Sequence, residues 1–325
     1  MARWVLAFMA LLIASTIRPA IADPAFALPA ACALGKDCFV QNYVDMDATP
    51  AAADFSCGGL TYDGHKGTDI RLTNYVAMEQ GVNVLAAAPG TVLRLRDGMD
   101  DVSVRDTGAD AVKDRMAGNS VIVDHGDGWV TQYAHLKKGS ISVVPGQQVA
   151  TGDRLGQIGL SGHTEFPHLH FEVRHKDQSV DPFTGDEMGA GCGVTGEALW
   201  QPALTYQPSG LLTLGFSTEK PDAEAARHGA YDAAMPTAES GALVFWADFF
   251  GLQQGDELVQ QLVGPDGAIL SENRQTAVKS KVQFFSFVGL KKPGAGWRPG
   301  TYRGTLRLLR GNAAGSKQTA EISIP

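Results

Sequence analysis

The sequence predicts a mainly β protein with antiparallel sheets. Apolar and polar residues alternate in segments such as NVLAAAPGTVLRLR, NSVIVDHGDGWVTQYAHL and HLHFEVRH, each bounded by Gly, Asp or Pro, as expected of short strands joined by turns. The 325 residues include 38 Gly and 16 Pro without a fixed period, which argues against a collagen-like or solenoid array and favours turn-rich β structure. With 44% hydrophobic residues, the chain can bury one or two cores.

Residues 1–22 have the pattern of a secretory signal peptide. Arg3 precedes a short apolar run, and Ala20 and Ala22 supply an A-x-A cleavage pattern before Asp23. The run is too short to span a bilayer of about 30 Å, and an uncleaved anchor is the alternative. We therefore expect an exported protein, periplasmic or secreted, that is not integral to the membrane after cleavage.

The charge of the mature chain limits its partners. Removal of the leader takes away Arg3 and Arg18, so that 25 of the 27 basic residues remain against 35 acidic ones and the net charge is −10. A net charge of this sign disfavours nucleic acid or another polyanion as a partner.

Four cysteines, Cys32, Cys38, Cys57 and Cys192, occur in this chain, and no two form a C-x-x-C pair. In an exported protein, disulfides are the expected state. Of the three possible pairings we favour Cys32 with Cys38, which closes a short loop, and Cys57 with Cys192, which joins the front and the back of the histidine-rich region. A zinc site or a nucleophilic cysteine is the alternative.

The patterns divide the mature chain into three parts. Residues 23–58 form an N-terminal lead with the short disulfide loop, and residues 59–205 form the main β domain. Within residues 210–325, strand patterns such as LLTLGFS, GALVFWADFF and VQFFSFVGL alternate with the turn signals GPDG and WRPG. This spacing is typical of a small immunoglobulin-like β-sandwich.

An Asp-rich polar segment at residues 97–118 interrupts two strand patterns of the main domain. It is expected to be a surface loop, and a flap that helps to choose the substrate is the alternative. The one helix predicted in the main domain is short and lies near Ala109–Met116.

The histidines carry the main functional signal, since seven of the eight fall between residues 65 and 175. An H-x-x-x-D pattern contains His65 and Asp69, and an H-x-H pattern contains His168 and His170. Catalytic zinc takes three such protein ligands and keeps a fourth position for water. Alternate residues of a strand point to the same face, so one histidine of the H-x-H pair can bind metal while the other moves protons beside it.

Other common hydrolase motifs are absent from the sequence. There is no H-E-x-x-H or H-x-x-E-H helix motif, no G-x-S-x-G and no phosphate-binding P-loop. These absences exclude a helical zinc pair with a Glu base and leave serine hydrolases and nucleotide enzymes without support.

Three motifs, GHKGTDI, YAHL and PHLHFEV, occur in this order and resemble the signatures of the lysostaphin-type, or LytM-domain, zinc metalloendopeptidases. The similarity covers about residues 60–185 and extends to PGTV, VIVDHGDGW and the V-x-x-G-x-x-L-G-x-I-G-x-S-G run. It implies a LytM-like antiparallel β domain with one Zn²⁺ per chain. The family's metal ligands fall on His65, Asp69 and His170, and its two catalytic histidines that bind no metal fall on His135 and His168.

The resemblance also implies hydrolysis of peptide bonds in peptidoglycan cross-links or stem peptides. Some family members have lost ligands and activate amidases without cleaving anything, whereas all five residues are present here. A non-catalytic, wall-binding activator stays an alternative, as do a metallopeptidase acting on proteins and a carboxypeptidase trimming D-Ala-D-Ala termini. The C-terminal domain could hold the enzyme near the wall, contact an envelope protein or cover the groove.

The chain departs from the family pattern just before H-x-H, where it reads SGHTEFPHLH in place of a Ser/Thr/Gly-rich turn. His163, Glu165 and Phe166 are expected either to line the substrate groove or to form a variant of the turn. Glu172 lies on the same strand face as the H-x-H pair, and it is expected either to orient an imidazole or to pair with a basic side chain.

Overall fold

The computed structural model describes residues 24–193, 196–233, 235–311, 315 and 317–325. The predicted signal peptide at residues 1–22 lies outside these ranges. Every pair of strands in the described part is antiparallel, which confirms the predicted mainly β class. No helix among these residues is long and apolar enough to cross a membrane.

From residue 24 to the end of the first half, the described residues form ten strands. They are β1 (Cys38–Asn42), β2 (Thr68–Leu72), β3 (Asn83–Leu85), β4 (Gly90–Arg96), β5 (Asn119–Gly126), β6 (Trp129–Leu136), β7 (Gln148–Val149), β8 (Arg154–Gln157), β9 (His168–His175) and β10 (Gln178–Val180). Eight of them form one sheet in the order β1-β2-β9-β6-β5-β4-β7, with β10 paired to β9, while β3 and β8 form a separate pair. The lead segment therefore supplies an edge strand, β1, to the main sheet.

The alternation of side chains along the central strands determines which residues face each side of this sheet. In β9, Leu169, Phe171 and Val173 are fully buried in the first hydrophobic core, and the alternate residues, His168 and His170 among them, face the other side. Ile70 of β2 is buried in the same core. Because side chains alternate with a period of two residues, burying this set determines which face the histidines occupy.

Helices are few and short, as expected. They are α1 (Tyr75–Gln80), α2 (Val104–Thr107), a 3₁₀ turn (Ala109–Ala111) and α3 (Ala223–Arg227). The helix predicted near Ala109–Met116 is wrong, because only the 3₁₀ turn forms there and the α-helical turn lies earlier. Ser103 caps α2 by accepting from the Arg105 amide, and Gly108 ends it with φ at +79°.

The segment at residues 97–118 is fastened to the turn that precedes β9. The Val104 amide donates to the Thr164 carbonyl at 2.9 Å, and the Arg105 guanidinium pairs with Glu165 at 2.6 Å. The His163 amide donates to the Met116 carbonyl at 2.8 Å. This loop is thus held against the main domain by backbone hydrogen bonds as well as charge.

In the C-terminal part, the residues that the structure describes form seven strands in two sheets. They are β11 (Gly210–Ser217), β12 (Ala242–Leu252), β13 (Glu257–Val263), β14 (Ile269–Thr276), β15 (Lys281–Lys291), β16 (Gly300–Leu309) and β17 (Lys317–Ile324). The sheet orders are β11-β12-β15 and β14-β13-β16-β17, and a second hydrophobic core contains Phe245 and Leu262. The immunoglobulin-like description and the exact domain boundaries stay predictions.

The two halves of the chain share buried surface. Leu212 of β11 and Phe250 of β12 belong to the first hydrophobic core and not to the second. The Phe250 ring packs edge-on against Phe39 of β1, with ring centroids 5.6 Å apart. The C-terminal sheets therefore rest on the main domain through apolar contact.

Both favoured disulfides are present in the structure. Cys32 is bonded to Cys38, and Cys57 is bonded to Cys192 across 135 residues. The first fastens the start of β1, and the second holds the loop ahead of His65 to the segment that follows β10. Closing a loop of the second kind restricts the unfolded chain strongly.

The carboxyl group of Asp181 makes folding stability depend on pH. Asp181 is fully buried, and burial raises its pKa to about 7. In the unfolded chain such a group ionises near pH ~4. Between those values the folded protein binds more protons than the unfolded chain, so its stability should fall as the pH rises from ~4 to ~7.

We expect Asp181→Asn to weaken this dependence, because the amide oxygen can still accept from the Phe183 amide, as Oδ1 does at 2.6 Å. The measurement is the melting temperature at pH 5 and pH 8. The control is Asp177→Asn, which changes an exposed carboxyl group. Its melting temperatures at the two pH values should differ by as much as those of the wild type. Equal differences in all three proteins would contradict the assignment.

Candidate metal centre

Three side chains predicted as metal ligands converge on one point. Asp69 lies in β2 directly opposite His170 of β9, and side chains at such paired positions project from the same face. His65 reaches the same place from the loop before β2. The donor atoms His65 Nε2, Asp69 Oδ1 and His170 Nδ1 are 2.9–3.3 Å apart.

These separations fit a tetrahedral metal site. Ligands about 2.0–2.1 Å from a zinc ion in tetrahedral geometry lie about 3.3 Å from one another. His65 and Asp69 are each 2% exposed, whereas the side chain of His170 keeps 16% of its surface open. The donor group is therefore buried on one side and accessible on the His170 side.

The hydrogen bonds around His65 show that its Nε2 carries a lone pair when the ring is neutral. Its Nδ1 lies 2.7 Å from the Tyr43 carbonyl, and because a carbonyl only accepts, Nδ1 holds the proton. Nε2 then faces the carboxylate oxygen of Asp69 and the Nδ1 of His170. Electron pairs that converge in this way are stabilised by a cation, either a proton or a metal ion.

The pKa shifts of Asp69 and His65 also indicate that this place favours positive charge. Burial acts to raise the pKa of Asp69, but the neighbouring His65, His168 and His170 hold it well below its usual range. Burial acts to lower the pKa of His65, but the charge and hydrogen bond of Asp69 leave it raised. Asp69 is thus an ionised carboxylate in a buried place that attracts cations.

The N-terminal lead orients two of these ligands. The Asn42 amide donates to Asp69 Oδ2 at 2.9 Å, leaving Oδ1 to face the histidines, and the Tyr43 carbonyl accepts from His65. Asp45 Oδ2 accepts from the Gly64 amide at 3.0 Å and the Asp45 amide donates to the His65 carbonyl at 2.8 Å. Sequence analysis missed these residues, because they belong to no motif and lie 19–27 residues from their partners.

His135 and His168 lie beside the donor group without completing it. Nε2 of His168 is 3.5 Å from Asp69 Oδ1, and the His135 and His168 ring centroids are 4.7 Å apart. Each ring is held through Nδ1, which donates to a backbone carbonyl, that of Ser161 at 2.8 Å for His135 and that of Phe166 at 2.9 Å for His168. The basic nitrogen of both neutral rings is consequently Nε2.

Burial is the main reason why both rings stay neutral. It lowers the pKa of His168, and together with the nearby His168 and His170 it lowers the pKa of His135 well below the usual value. His135 also has a φ of +60° at the end of β6, a conformation uncommon for a residue with a side chain. Its backbone is held by the Ala117 carbonyl, which accepts from the His135 amide at 3.0 Å.

Gly67 and Tyr62 also shape this centre, and the motif alone did not indicate their roles. A Cβ on Gly67 would lie 2.7 Å from Cε1 and Nε2 of His170, so glycine in GHKGTDI leaves room for that ring. Tyr62 is 54% exposed and its ring lies against His65, with centroids 4.4 Å apart. Tyr62 thus covers one face of the buried His65 ring.

The other predicted residues lie nearby with different partners. Glu172 accepts from the Ser179 hydroxyl at 2.8 Å and lies 3.9 Å from Arg174, so the expectation that it orients an imidazole is wrong. Glu165 pairs with Arg105, and the Phe166 ring lies against His168 with centroids 4.7 Å apart.

The fold and this donor set define a class: an antiparallel β domain with a His-Asp-His group that fits a metal site and two extra imidazoles beside it. Residues 63–182 match the model of peptidase family M23. This part of the chain is a LytM-like domain of that family, which includes zinc endopeptidases.

Similar proteins bear out the family and differ in what they do. The chain is 48% identical over 71 residues to the cell division protein DipM of Caulobacter vibrioides, covering 20% of this chain and 11% of DipM. It is 34% identical over 117 residues to the peptidoglycan DD-endopeptidase ShyA of Vibrio cholerae (36% and 22% covered). It is 30% identical over 124 residues to the murein hydrolase activator NlpD of Escherichia coli (38% and 26% covered). The alignments thus span between 11% and 26% of each relative.

The contact between Asn42 and Asp69 generates a prediction about metal affinity. Asn42→Ala removes the donor that holds Oδ2, and partners of this kind typically contribute about 10–100-fold to affinity. We expect Zn²⁺ to bind more weakly by about that factor in a chelator competition titration.

The control is Gln260→Ala, which removes another buried amide, one that donates to the Phe245 and Ser286 carbonyls in the C-terminal core. It should lose stability but keep the wild-type affinity for Zn²⁺. Equal weakening by both substitutions would mean that general loss of stability, and not Asn42, is responsible.

Proposed function

We propose that this protein is an exported zinc metalloendopeptidase that hydrolyses peptide bonds in peptidoglycan cross-links or stem peptides. One observation carries the proposal: three donors at tetrahedral spacing and two neutral imidazoles surround a single point. A non-catalytic domain has no need for the two imidazoles beside the donors. The match to the M23 family and the similarity to ShyA, a peptidoglycan DD-endopeptidase, support the reaction class and the substrate.

Zinc is the metal that suits these donors, held by His65, Asp69 and His170 as one ion per chain. Imidazole nitrogen and carboxylate oxygen are ligands that zinc accepts, and three protein ligands leave a coordination position free. A zinc ion held there would supply Lewis acidity, which polarises a scissile carbonyl and lowers the pKa of water toward ~7.

His135 and His168 would provide proton transfer and charge stabilisation. With Nδ1 of each ring committed to a backbone carbonyl, Nε2 can accept a proton from the attacking water. The resulting imidazolium can then donate to the leaving amine or to the carbonyl oxygen as negative charge develops. The two rings share these roles in our proposal, and neither is assigned as the sole base.

The envelope is the expected location. The pattern at residues 1–22, the two disulfides and the envelope names of relatives, such as outer membrane antigenic lipoprotein B of Haemophilus influenzae, all favour export to the periplasm or beyond. The proposed partner is the peptidoglycan peptide, and an envelope protein could bind the C-terminal domain. Net negative charge disfavours nucleic acid.

An activator of a wall amidase is the second candidate, favoured by the similarity to NlpD. It predicts no cleavage by the protein alone and faster cleavage by an added amidase. The zinc endopeptidase predicts cleavage without any partner.

The first test is mass spectrometry of muropeptides after the mature protein has acted on purified cross-linked peptidoglycan. We expect cross-linked dimers to decrease and matching monomers to increase, and His170→Ala to abolish both changes because a ligand is lost. Dimers left intact by the wild-type protein loaded with zinc would overturn the proposal, and stimulation of an amidase under the same conditions would support the activator.

A second test separates the two imidazoles from the metal ligands. His135→Ala and His168→Ala should each retain bound zinc, measured by elemental analysis, because neither side chain is a ligand. Turnover should fall about 10²- to 10⁴-fold, the usual contribution of one positioned proton-transfer group. Wild-type turnover in either variant would refute the role of that residue.

A further inference from the structure

The C-terminal domain touches the main domain close to the candidate metal centre. A cavity of about 10 Å³ is lined from the main domain by Tyr75, Glu165 and Phe166 and from the C-terminal domain by Arg227 and Gln283, among others. A space of this size is at the lower limit for one water molecule. The two domains therefore meet beside the turn that precedes β9.

Tyr75 connects the two domains at this place. Its ring stacks on His228, just after α3, with centroids 4.0 Å apart and planes 10° from parallel. Its hydroxyl donates to the Glu165 carbonyl at 3.3 Å. Tyr75 is 7% exposed, so a single buried side chain contacts the C-terminal domain with its ring and the turn with its hydroxyl.

His228 is held in place by the segment that carries it. Arg227 donates to the fully buried Asp248 of β12 at 2.8 and 3.2 Å. Gln283 of β15 donates to the same carboxylate at 2.8 Å. A Cβ on Gly229 would lie 2.7 Å from the Val76 side chain, so the backbone after His228 runs close to α1.

The far end of the turn holds His168. The Phe166 carbonyl accepts from His168 Nδ1 at 2.9 Å, and the Thr164 hydroxyl lies 3.0 Å from the same nitrogen. The Arg71 guanidinium lies 4.5 Å from the centre of the Phe166 ring. The position of residues 163–167 thus determines how the His168 ring is oriented.

We propose that the C-terminal domain positions His168: through the stack of His228 on Tyr75 it holds the turn at residues 163–167. Within the proposed function, this makes the domain part of the peptidase and not a removable cover of the groove. Tyr75 and His228 are positioning residues, because neither touches the metal ligands.

The test compares His228→Ala, Tyr75→Phe and His228→Phe in the full chain. We expect the first two to lower kcat on a cross-linked muropeptide about three- to tenfold, with KM changed less than about twofold and Zn²⁺ affinity unchanged. His228→Phe retains a ring that can stack, and it should restore at least half of the lost activity.

His175→Ala is the matched control. His175 stacks on Trp129 with centroids 4.3 Å apart and planes 10° from parallel, at the end of β9 away from the turn. It removes an equivalent stack, and its kcat should equal that of the wild type. The melting temperatures of all variants show whether any of them has lost folding. If a variant has, the result for Tyr75→Phe, the smallest change, decides the test.

Hydrogen exchange provides a readout that does not depend on activity. Amide exchange at residues 163–166 should accelerate in His228→Ala and stay unchanged in His175→Ala. Wild-type kcat and wild-type exchange in His228→Ala would overturn the inference, and so would His228→Phe behaving like His228→Ala. If the wild-type protein cleaves nothing, the proposed function fails, whereas the exchange result still tests the coupling of the domains.

Discussion

Antiparallel pairing of β2 with β9 places Asp69 directly opposite His170, and the rest of the candidate centre depends on this register. Ile70 and Leu169 are paired one position further along and are buried on the opposite face. A slip of one residue would bring these apolar side chains to the centre and turn the polar ones into the core. Apolar burial on one face of the sheet thus holds the metal donors together on the other.

Burying the carboxylate of Asp69 is costly unless its charge and lone pairs have partners. The surrounding histidines supply part of that compensation, and Asn42 supplies a hydrogen bond to the oxygen that faces away from them. Asn42 lies on an edge strand, and the disulfide between Cys32 and Cys38 fastens the start of that strand. The lead segment is therefore a structural part of the centre.

In the C-terminal half, too, apolar packing holds polar side chains in place. Apolar packing of Phe250 on Phe39 joins the two halves, while polar and stacking contacts at Tyr75 lie next to the turn before β9. A domain attached in this way cannot move without disturbing the first core, since Phe250 is fully buried there. Its placement makes the geometry beside His168 dependent on residues more than fifty positions away in the chain.

Local patterns in the sequence predicted much of the fold and of the candidate centre. Alternation in HLHFEVRH predicted the strand and the shared face of its histidines, because the side-chain period of a strand is two residues. The motif resemblance selected five residues that the structure brings together. The tertiary structure alone decided the contacts that have no local pattern: Asn42 with Asp69, the position of His135 at positive φ, and the stack of His228 on Tyr75. These depend on strand order and domain packing, which join residues that no short-range periodicity relates.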